Sequence, residues 1–434
     1  MENLKKLKIP ILRYPGGCFA DVYHWRDGVG DNRPVTKNKM WNILGKKWGP
    51  LENNHFGTDE FLDYCQDLGA SPYLCANAGS GDADEAAEWV EYVKNRQEKT
   101  DAVKPVLWGV GNEQYGLWEK GHCSPEKYAE KYRIYKYRML SADPSIKLTA
   151  VGCDPSYRPK WNQILLEKLG DEIDVLSIHI YLPMDYKLRR LLIPFRKSIS
   201  TYYALVSAGF TIEKKIDSVV KQCEEVIGKP IPIAYDEWNF WFAFRQLVQP
   251  VSNLALTLGA ASIILAFHRR ADVVKIANLS YIINAINPLI YTGKDHIVCS
   301  SMYYMFKLFG LAGSQRLETK VINSPTYNSP KLGGINSVKN KPTLDVSATM
   351  QPKDGNMIVF ILNKDPENYQ DVLLRLTDVS SAQGKTYTLH GENPFSENTF
   401  NNNEVLITEK EINGSGDDIQ LKLQPHSFTA ITIK

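Results

Sequence analysis

The chain is poor in the features that would tie it to a disulfide scaffold, a metal, a polyanion or a membrane. Its seven cysteines, at positions 18, 65, 75, 123, 153, 223 and 299, form an odd, scattered set with no C-x-x-C and none after Cys299. That usage argues for free thiols in a reducing compartment, and a cytoplasmic location is the expectation. The eight histidines form no H-E-x-x-H pattern, so chemistry without a metal or other cofactor is expected. Charge of one sign is also missing. The 51 Lys and Arg against 49 Asp and Glu leave a net charge of +2, too little for a general attraction to nucleic acid or to an anionic membrane. No run approaches the ~18 uninterrupted apolar residues of a membrane span. The opening "MENLKKLKIPILRYPGG" passes from a charged helical end straight into a strand, without the apolar core and cleavage site of a secretory leader.

What is present is a rhythm. Short apolar, β-rich runs occur at "IPILRYP", "SPYLCANAG", "VLWGVGNE", "IKLTAVGCD", "VLSIHIYL", "IPIAYDEWN" and "DVVKIANLS". Helical patterns lie between most of them, such as "GTDEFLDYCQDLG", where Thr58 is the expected cap, "DEAAEWVEYVKNRQ" and "SPEKYAEKYRIYKYRMLSA". Strands alternating with helices imply a parallel sheet. Nearly every strand ends in a polar group: Arg13, Asn77, Glu113, Asp154, His179, Glu237 and Asn278. A doubly wound sheet gathers its functional groups at one switch point, whereas a (β/α)₈ barrel places all of them on the loops after its strands. The pattern therefore favours an α/β fold, a (β/α)₈ TIM barrel, with the first of its eight strands missing. From about residue 310 the pattern becomes apolar-polar alternation with turn signals such as Asp354-Gly355, which predicts a β-sandwich. The expected domains are a catalytic barrel over residues 1–310 and a C-terminal all-β sandwich over 311–434.

Two of the strand ends carry acids. The run "VLWGVGNEQYG" stops at Asn112-Glu113 and "IPIAYDEWNFW" at Asp236-Glu237. A lone strand-end Glu is as readily a helix-capping carboxylate as a catalytic one. Two of them converging over one barrel mouth suit glycoside hydrolysis, in which one carboxyl protonates the leaving oxygen while the other attacks the anomeric carbon. The two must differ in environment, so a fixed cation beside one would assign the roles, and Arg13 at the end of "ILR" can supply it. The aromatic content of 11%, with nine Trp and 23 Tyr, is compatible with stacking on sugar rings as well as with ordinary core packing.

Six ordered stretches, "RYPGGCFADVYHWRDGVG", "NHFGTDEFLDYC", "GVGNEQYG", "SIHIY", "YDEWNFW" and "RRADVVKIANL", closely resemble glycoside hydrolase family 51, the α-L-arabinofuranosidases. The resemblance implies a retaining mechanism on a barrel followed by a sandwich, an arabinose-containing oligo- or polysaccharide as substrate, and a homo-oligomer. It makes Glu113 the acid/base and Glu237 the nucleophile. Asn112 would hold the sugar hydroxyl next to the anomeric carbon, Arg13 and Tyr181 would keep the nucleophile ionised and oriented, and His179 would line the same floor. Cys18, Trp48 and Trp241 match positions around the sugar. Covalent catalysis by Cys18 is not expected, since neither a base nor a second nucleophile signature accompanies it. Two departures stand out. The family's first strand, with its sugar-binding Glu, has no counterpart, so an N-terminally truncated chain is expected. Ser280-Tyr281 also replaces the usual Ala-Gln. Cleavage of β-1,4-glucans and a non-catalytic, carbohydrate-binding remnant are the alternative readings.

Overall fold

The computed structural model describes residues 1–37, 51–100, 103–185, 193, 195–242, 252–377, 383–413 and 418–434. All seven apolar runs are strands: β1 (Ile11–Tyr14), β2 (Ser71–Ala76), β3 (Leu107–Val110), β4 (Leu148–Val151), β5 (Val175–Leu182), β6 (Ile233–Phe240) and β7 (Val274–Leu279). They lie in chain order in one sheet. The register is parallel where it is defined, with Leu12 opposite Pro72, Leu74 opposite Trp108, Gly109 opposite Thr149 and Ala150 opposite Leu176. Parallel neighbours need long crossovers, and these are helices, among them Thr58–Leu68, Ala83–Thr100, Pro125–Ala142 and Trp161–Leu169. Among the described residues β1 and β7 have one sheet neighbour each. Asn278 Nδ2 on β7 donates to the Ile11 carbonyl on β1 at 3.4 Å, which nearly closes a seven-stranded barrel.

The barrel is filled rather than hollow. Tyr73, Leu107, Val175 and Ala234 are buried together, with Ile11 and Ile276 packed against them, so six strands contribute to a central layer of side chains. Thr58 is not the cap of its helix. The N-cap is Gly57, whose N–H donates to Glu60 Oε2 at 2.8 Å, while the Thr58 hydroxyl accepts from Trp89 Nε1 at 2.9 Å. A Glu three residues into the helix has taken the orphan donor that a capping hydroxyl would otherwise serve.

The chain divides into two compact units, one of residues 1–180, 217–238 and 273–278, the other of 181–216, 239–272 and 279–434. The grouping interleaves segments instead of cutting the chain once near residue 310. The second unit contains a six-stranded antiparallel sheet whose strands are β8 (Gln315–Leu317), β9 (Leu344–Met350), β10 (Met357–Asn363), β12 (Gln383–His390), β13 (Leu406–Asn413) and β15 (Ser427–Ile433), ordered β8-β9-β10-β15-β12-β13. A separate pair, β11 (Gln370–Arg375) and β14 (Asp418–Leu423), packs Ile419, Leu421 and Leu423 against Val359, Ile361, Ile431 and Ile433 of the larger sheet, which is a sandwich core. In the same unit the helix Leu254–Arg269 is buried from Leu254 to Phe267, consistent with its being apolar on every face. All seven cysteines are free, and no helix among the described residues is long and apolar enough to cross a membrane.

Candidate active site

Four of the seven polar strand ends converge. Arg13, Glu113, His179 and Glu237 lie together in the first unit, from β1, the turn after β3, β5 and β6. The other three build loops. Asn77 Oδ1 accepts from the backbone of Gly79, Ser80 and Gly81, Asp154 Oδ1 accepts from Ser156 N, and Asn278 spans to β1.

The turn that carries Glu113 is held in an unusual backbone shape. Glu113 has φ 36°, a left-handed value that costs a residue with a side chain on the order of 1–3 kcal/mol. Gly111, at φ 77°, leaves no room for a side chain, since a Cβ there would meet Ala78 Cβ at 2.8 Å. Gly116 is needed for a different reason: a Cβ would meet the Trp118 ring at 2.4 Å. That ring matters, because its Nε1 donates to Glu113 Oε2 at 2.6 Å while the Tyr115 hydroxyl donates to Oε1 at 3.1 Å.

His179 joins the two acids. Its Nδ1 is 2.9 Å from Glu113 Oε1 and 2.8 Å from Glu237 Oε2, and its Nε2 is 3.4 Å from Asp236 Oδ1. Both ring nitrogens thus face carboxylate oxygens. A neutral imidazole would point one lone pair at an acceptor, whereas an imidazolium donates from both positions. Burial opposes that charge, but Glu237, Asp236 and Glu113 hold the ring protonated well above its usual range. The nearest carboxylate oxygens of Glu113 and Glu237 are within 4.8 Å of each other.

Beneath this cluster Asp236 acts as a hub. Tyr73 Oη and Ser177 Oγ each donate to it at 2.7 Å, and Arg13 Nε lies 3.6 Å away. Burial would push this carboxyl up, yet His179 and Arg13 hold it down at about 2. Arg13 also donates from Nη2 to Asn112 Oδ1 at 2.8 Å, and the charge of Glu237 adds to the field around its guanidinium. The cation expected from the sequence is therefore present, but Asp236 and Asn112 engage it directly and His179 supplies a second positive charge against Glu237. Sequence reasoning passed over Asp236, Tyr115 and Trp118. Only the adjacency of Asp236 to Glu237 could have drawn attention to one of them.

Cys18 sits beside Glu113 and Glu119, with donor atoms within 4.8 Å of one another. Burial and the charges of Glu119, Glu113 and Glu237 keep its thiol protonated, which fits the expectation that it is not a nucleophile. Glu119 is buried and pushed upward by that burial and by Asp21. By donor type, Cys18, Glu113 and Glu119 could ligate a soft divalent cation, but the ion would have to displace two firmly held protons. Glu113, His179 and Glu237 form a second such group, in which the protonated ring offers no lone pair.

Three further candidates, Tyr181, Trp241 and Tyr281, belong to the second unit. Tyr181 is buried, its hydroxyl 2.7 Å from Ser280 Oγ, and Trp241 packs edge-on against its ring at 5.1 Å between centroids. Tyr281 is half-buried. Trp48 falls outside the described residues.

Comparison with known proteins gives a consistent picture. Residues 3–189 match the family model described as alpha-L-arabinofuranosidase 1 domain, and residues 236–427 match the alpha-L-arabinofuranosidase C-terminal domain. The chain is 29% identical to an intracellular exo-alpha-L-arabinofuranosidase of Bacteroides ovatus, over 99% of this chain and 85% of that protein. It is 31% identical to alpha-L-arabinofuranosidase C of Emericella nidulans, over 100% of this chain and 87% of the relative. The crystal structure of an alpha-L-arabinofuranosidase from Thermotoga maritima in an arabinose complex superposes with a TM-score of 0.81 at 32% identity, covering 99% of this chain and 88% of that one. A thermostable arabinofuranosidase from Thermotoga petrophila gives 0.81 at 32%, covering 100% and 89%.

Proposed function

The chain belongs to glycoside hydrolase family 51, the α-L-arabinofuranosidases, and on that footing we propose that it releases terminal α-L-arabinofuranosyl groups from arabinose-containing oligo- or polysaccharides with retention of configuration. The single observation that carries the stereochemistry is the separation of Glu113 and Glu237, whose nearest oxygens lie within 4.8 Å. Retention needs carboxyls about 5–5.5 Å apart, and inversion needs about 6.5–9.5 Å to admit a water.

In this reading Glu113 gives its proton to the glycosidic oxygen as Glu237 attacks the anomeric carbon, forming a glycosyl ester and freeing the leaving sugar. Water then replaces that sugar, Glu113 takes a proton from it, and its oxygen attacks the same carbon to release arabinose and regenerate Glu237. His179 supports both halves. As an imidazolium between the acids it holds Glu237 ionised for attack, and once the ester has consumed that charge the same cation faces Glu113, which must then act as a base. Asn112 has its Oδ1 engaged by Arg13 and donates from Nδ2 to Glu119 Oε2 at 3.5 Å, so the second proton of its NH₂ group is the one left to donate to the sugar hydroxyl beside the anomeric carbon.

The test is the anomer formed first, followed by proton NMR during cleavage of an aryl α-L-arabinofuranoside, with kcat/KM compared against aryl β-glucoside and β-xyloside. Retention with a strong preference for the arabinofuranoside is expected. Inversion would overturn the mechanism, and a preference for the glucoside would favour the glucan-cleaving alternative. The free thiols and the name of the Bacteroides ovatus relative support a cytoplasmic location, and the family resemblance supports a homo-oligomer. A linear division into a barrel over 1–310 and a sandwich over 311–434 also belongs to this reading.

A further inference from the structure

We propose that Asp21 is a positioning residue for the acid/base: its carboxylate clamps the chain on both sides of Glu113 and so sets the line along which the proton travels. The inference rests on the reading of Glu113 as the acid/base. Asp21 is fully buried and lies in the short 3-10 helix Gly17–Val22 that follows β1. Its Oδ2 accepts from the Asn112 backbone N–H at 2.9 Å and from Gln114 Nε2 at 2.7 Å, and its Oδ1 accepts from Ala78 N at 2.9 Å. One carboxylate oxygen therefore holds both neighbours of the residue with φ 36°, and the other ties that turn to the loop after β2.

The clamp has a counter-charge. Lys131 Nζ donates to Gln114 Oε1 at 2.8 Å and to the Ala78 carbonyl at 2.7 Å. Gln114, itself fully buried, thus bridges an anion to a cation, and the two ends of the bridge both grip Ala78. A left-handed Glu would relax to an ordinary conformation without such support. Because all three groups facing the Asp21 carboxylate are N–H donors, only an acceptor-only side chain can serve them together. Asp21, Gln114 and Lys131 are not among the residues assigned to the sugar. The clamp also holds Asn112 through its backbone N–H, and a shift of Asn112 would weaken both substrates alike, so the part that runs through Glu113 is read from the difference between them.

A purely structural role would lower all activities alike, whereas a fault in proton delivery falls on substrates that need the proton. The experiment compares kcat/KM, which reports glycosylation, for methyl and 4-nitrophenyl α-L-arabinofuranosides in the wild type, Asp21→Ala, Gln114→Met and Glu113→Ala. For Asp21→Ala the expected loss is on the order of 100-fold with the methyl leaving group, the scale of a misplacement of about 1 Å, and under about 5-fold with 4-nitrophenolate. Gln114→Met removes one of the two bonds to Oδ2 and is expected to show the same split at about 10-fold. Equal losses for the two substrates, or wild-type values, would overturn the proposal. If Asp21→Ala does not fold, the split in Gln114→Met decides. Glu113→Ala separates the two levels of the argument. A split there without one in the clamp variants sinks the clamp and leaves the function standing, while no split in Glu113→Ala sinks both.

Discussion

The Nδ1 atom of His179 stands 2.8 Å from Oε2 of Glu237, and the same nitrogen reaches Glu113 on its other side at 2.9 Å. One buried cation therefore faces both of the carboxylates proposed as acid/base and nucleophile. Replacing it with a neutral side chain should damage both steps: His179→Ala is expected to lower kcat by about 10²–10³, the usual cost of one preorganised electrostatic contact. A loss below about 5-fold would show that the ring only fills space.

The charge on that ring has a defined pH direction. The acids around His179 raise its pKa well above the ordinary value, so the stabilisation it contributes is complete below about pH 6.5 and is lost as pH rises through the raised value. Nitrogen NMR at pH 7.5 should find both ring nitrogens protonated. A neutral tautomer at that pH would contradict the site as described.

Glu113 and Glu237 should separate cleanly by what each variant accumulates. With an activated substrate, Glu113→Ala keeps its nucleophile but lacks the base for the second step, so the glycosyl-enzyme should build up and be detectable as an anhydropentose adduct on the peptide containing Glu237. Azide should release it as the α-azide, the product of a second inversion at the anomeric carbon. Glu237→Ala should give neither adduct nor turnover. An adduct on any other residue would displace Glu237 as nucleophile.

The Trp118 indole donates to Glu113 Oε2 at 2.6 Å, a short bond to the carboxyl proposed as the proton donor. Trp118→Phe retains most of the ring and removes only that donor. An ordinary hydrogen bond contributes about 0.5–1.5 kcal/mol, so kcat/KM should fall about 2- to 10-fold while the melting temperature changes little. An unchanged kcat/KM would mean that Tyr115 and His179 suffice to orient the carboxylate.

Asp236 should matter first for stability. Its side chain is almost completely buried between His179 and Arg13, and removing an anion from such a site strands two cations at a cost of about 3–5 kcal/mol. Chemical denaturation of Asp236→Asn at pH 7 should show a loss of that order. Because the folded carboxyl is held down at about 2, below the unfolded value of about 3.9, its contribution is present above about pH 4 and is lost as pH falls towards 2. The wild type should therefore lose stability over that window and the variant should lose less. Parallel acid profiles would show that Asp236 is not the group being titrated.

The strands, and the polar group at the end of each, were legible because both are local. Short apolar, β-rich runs with helical patterns between them imply a parallel sheet, and all seven runs became strands. Asp236 was not legible. Alternation along a strand sends neighbouring side chains to opposite faces, yet His179 meets Asp236 through Nε2 and Glu237 through Nδ1, and nothing in "YDEW" announces a ring able to reach both. Asp21 and Trp118 were hidden for a related reason: an Asp in a 3-10 turn is an ordinary loop residue until a partner from another strand end is beside it, and a Trp two residues after a Gly is one until its loop folds the indole back onto Glu113.

By itself, then, the sequence determined which residue types stand at the ends of which strands, and through the barrel pattern it determined that Glu113 and Glu237 would face a common mouth. Tertiary structure alone decided their separation, the ring placed between them, and the charge that ring carries. These quantities depend on contacts between residues 66 and 58 positions apart, from 113 to 179 and from 179 to 237, and they exist only once barrel closure has removed water and brought the strand ends within Coulomb range of one another. A protonated histidine is favoured there because the attraction of Glu237 and Asp236 and the hydrogen bond to Glu113 outweigh the loss of solvation that burial costs one imidazolium.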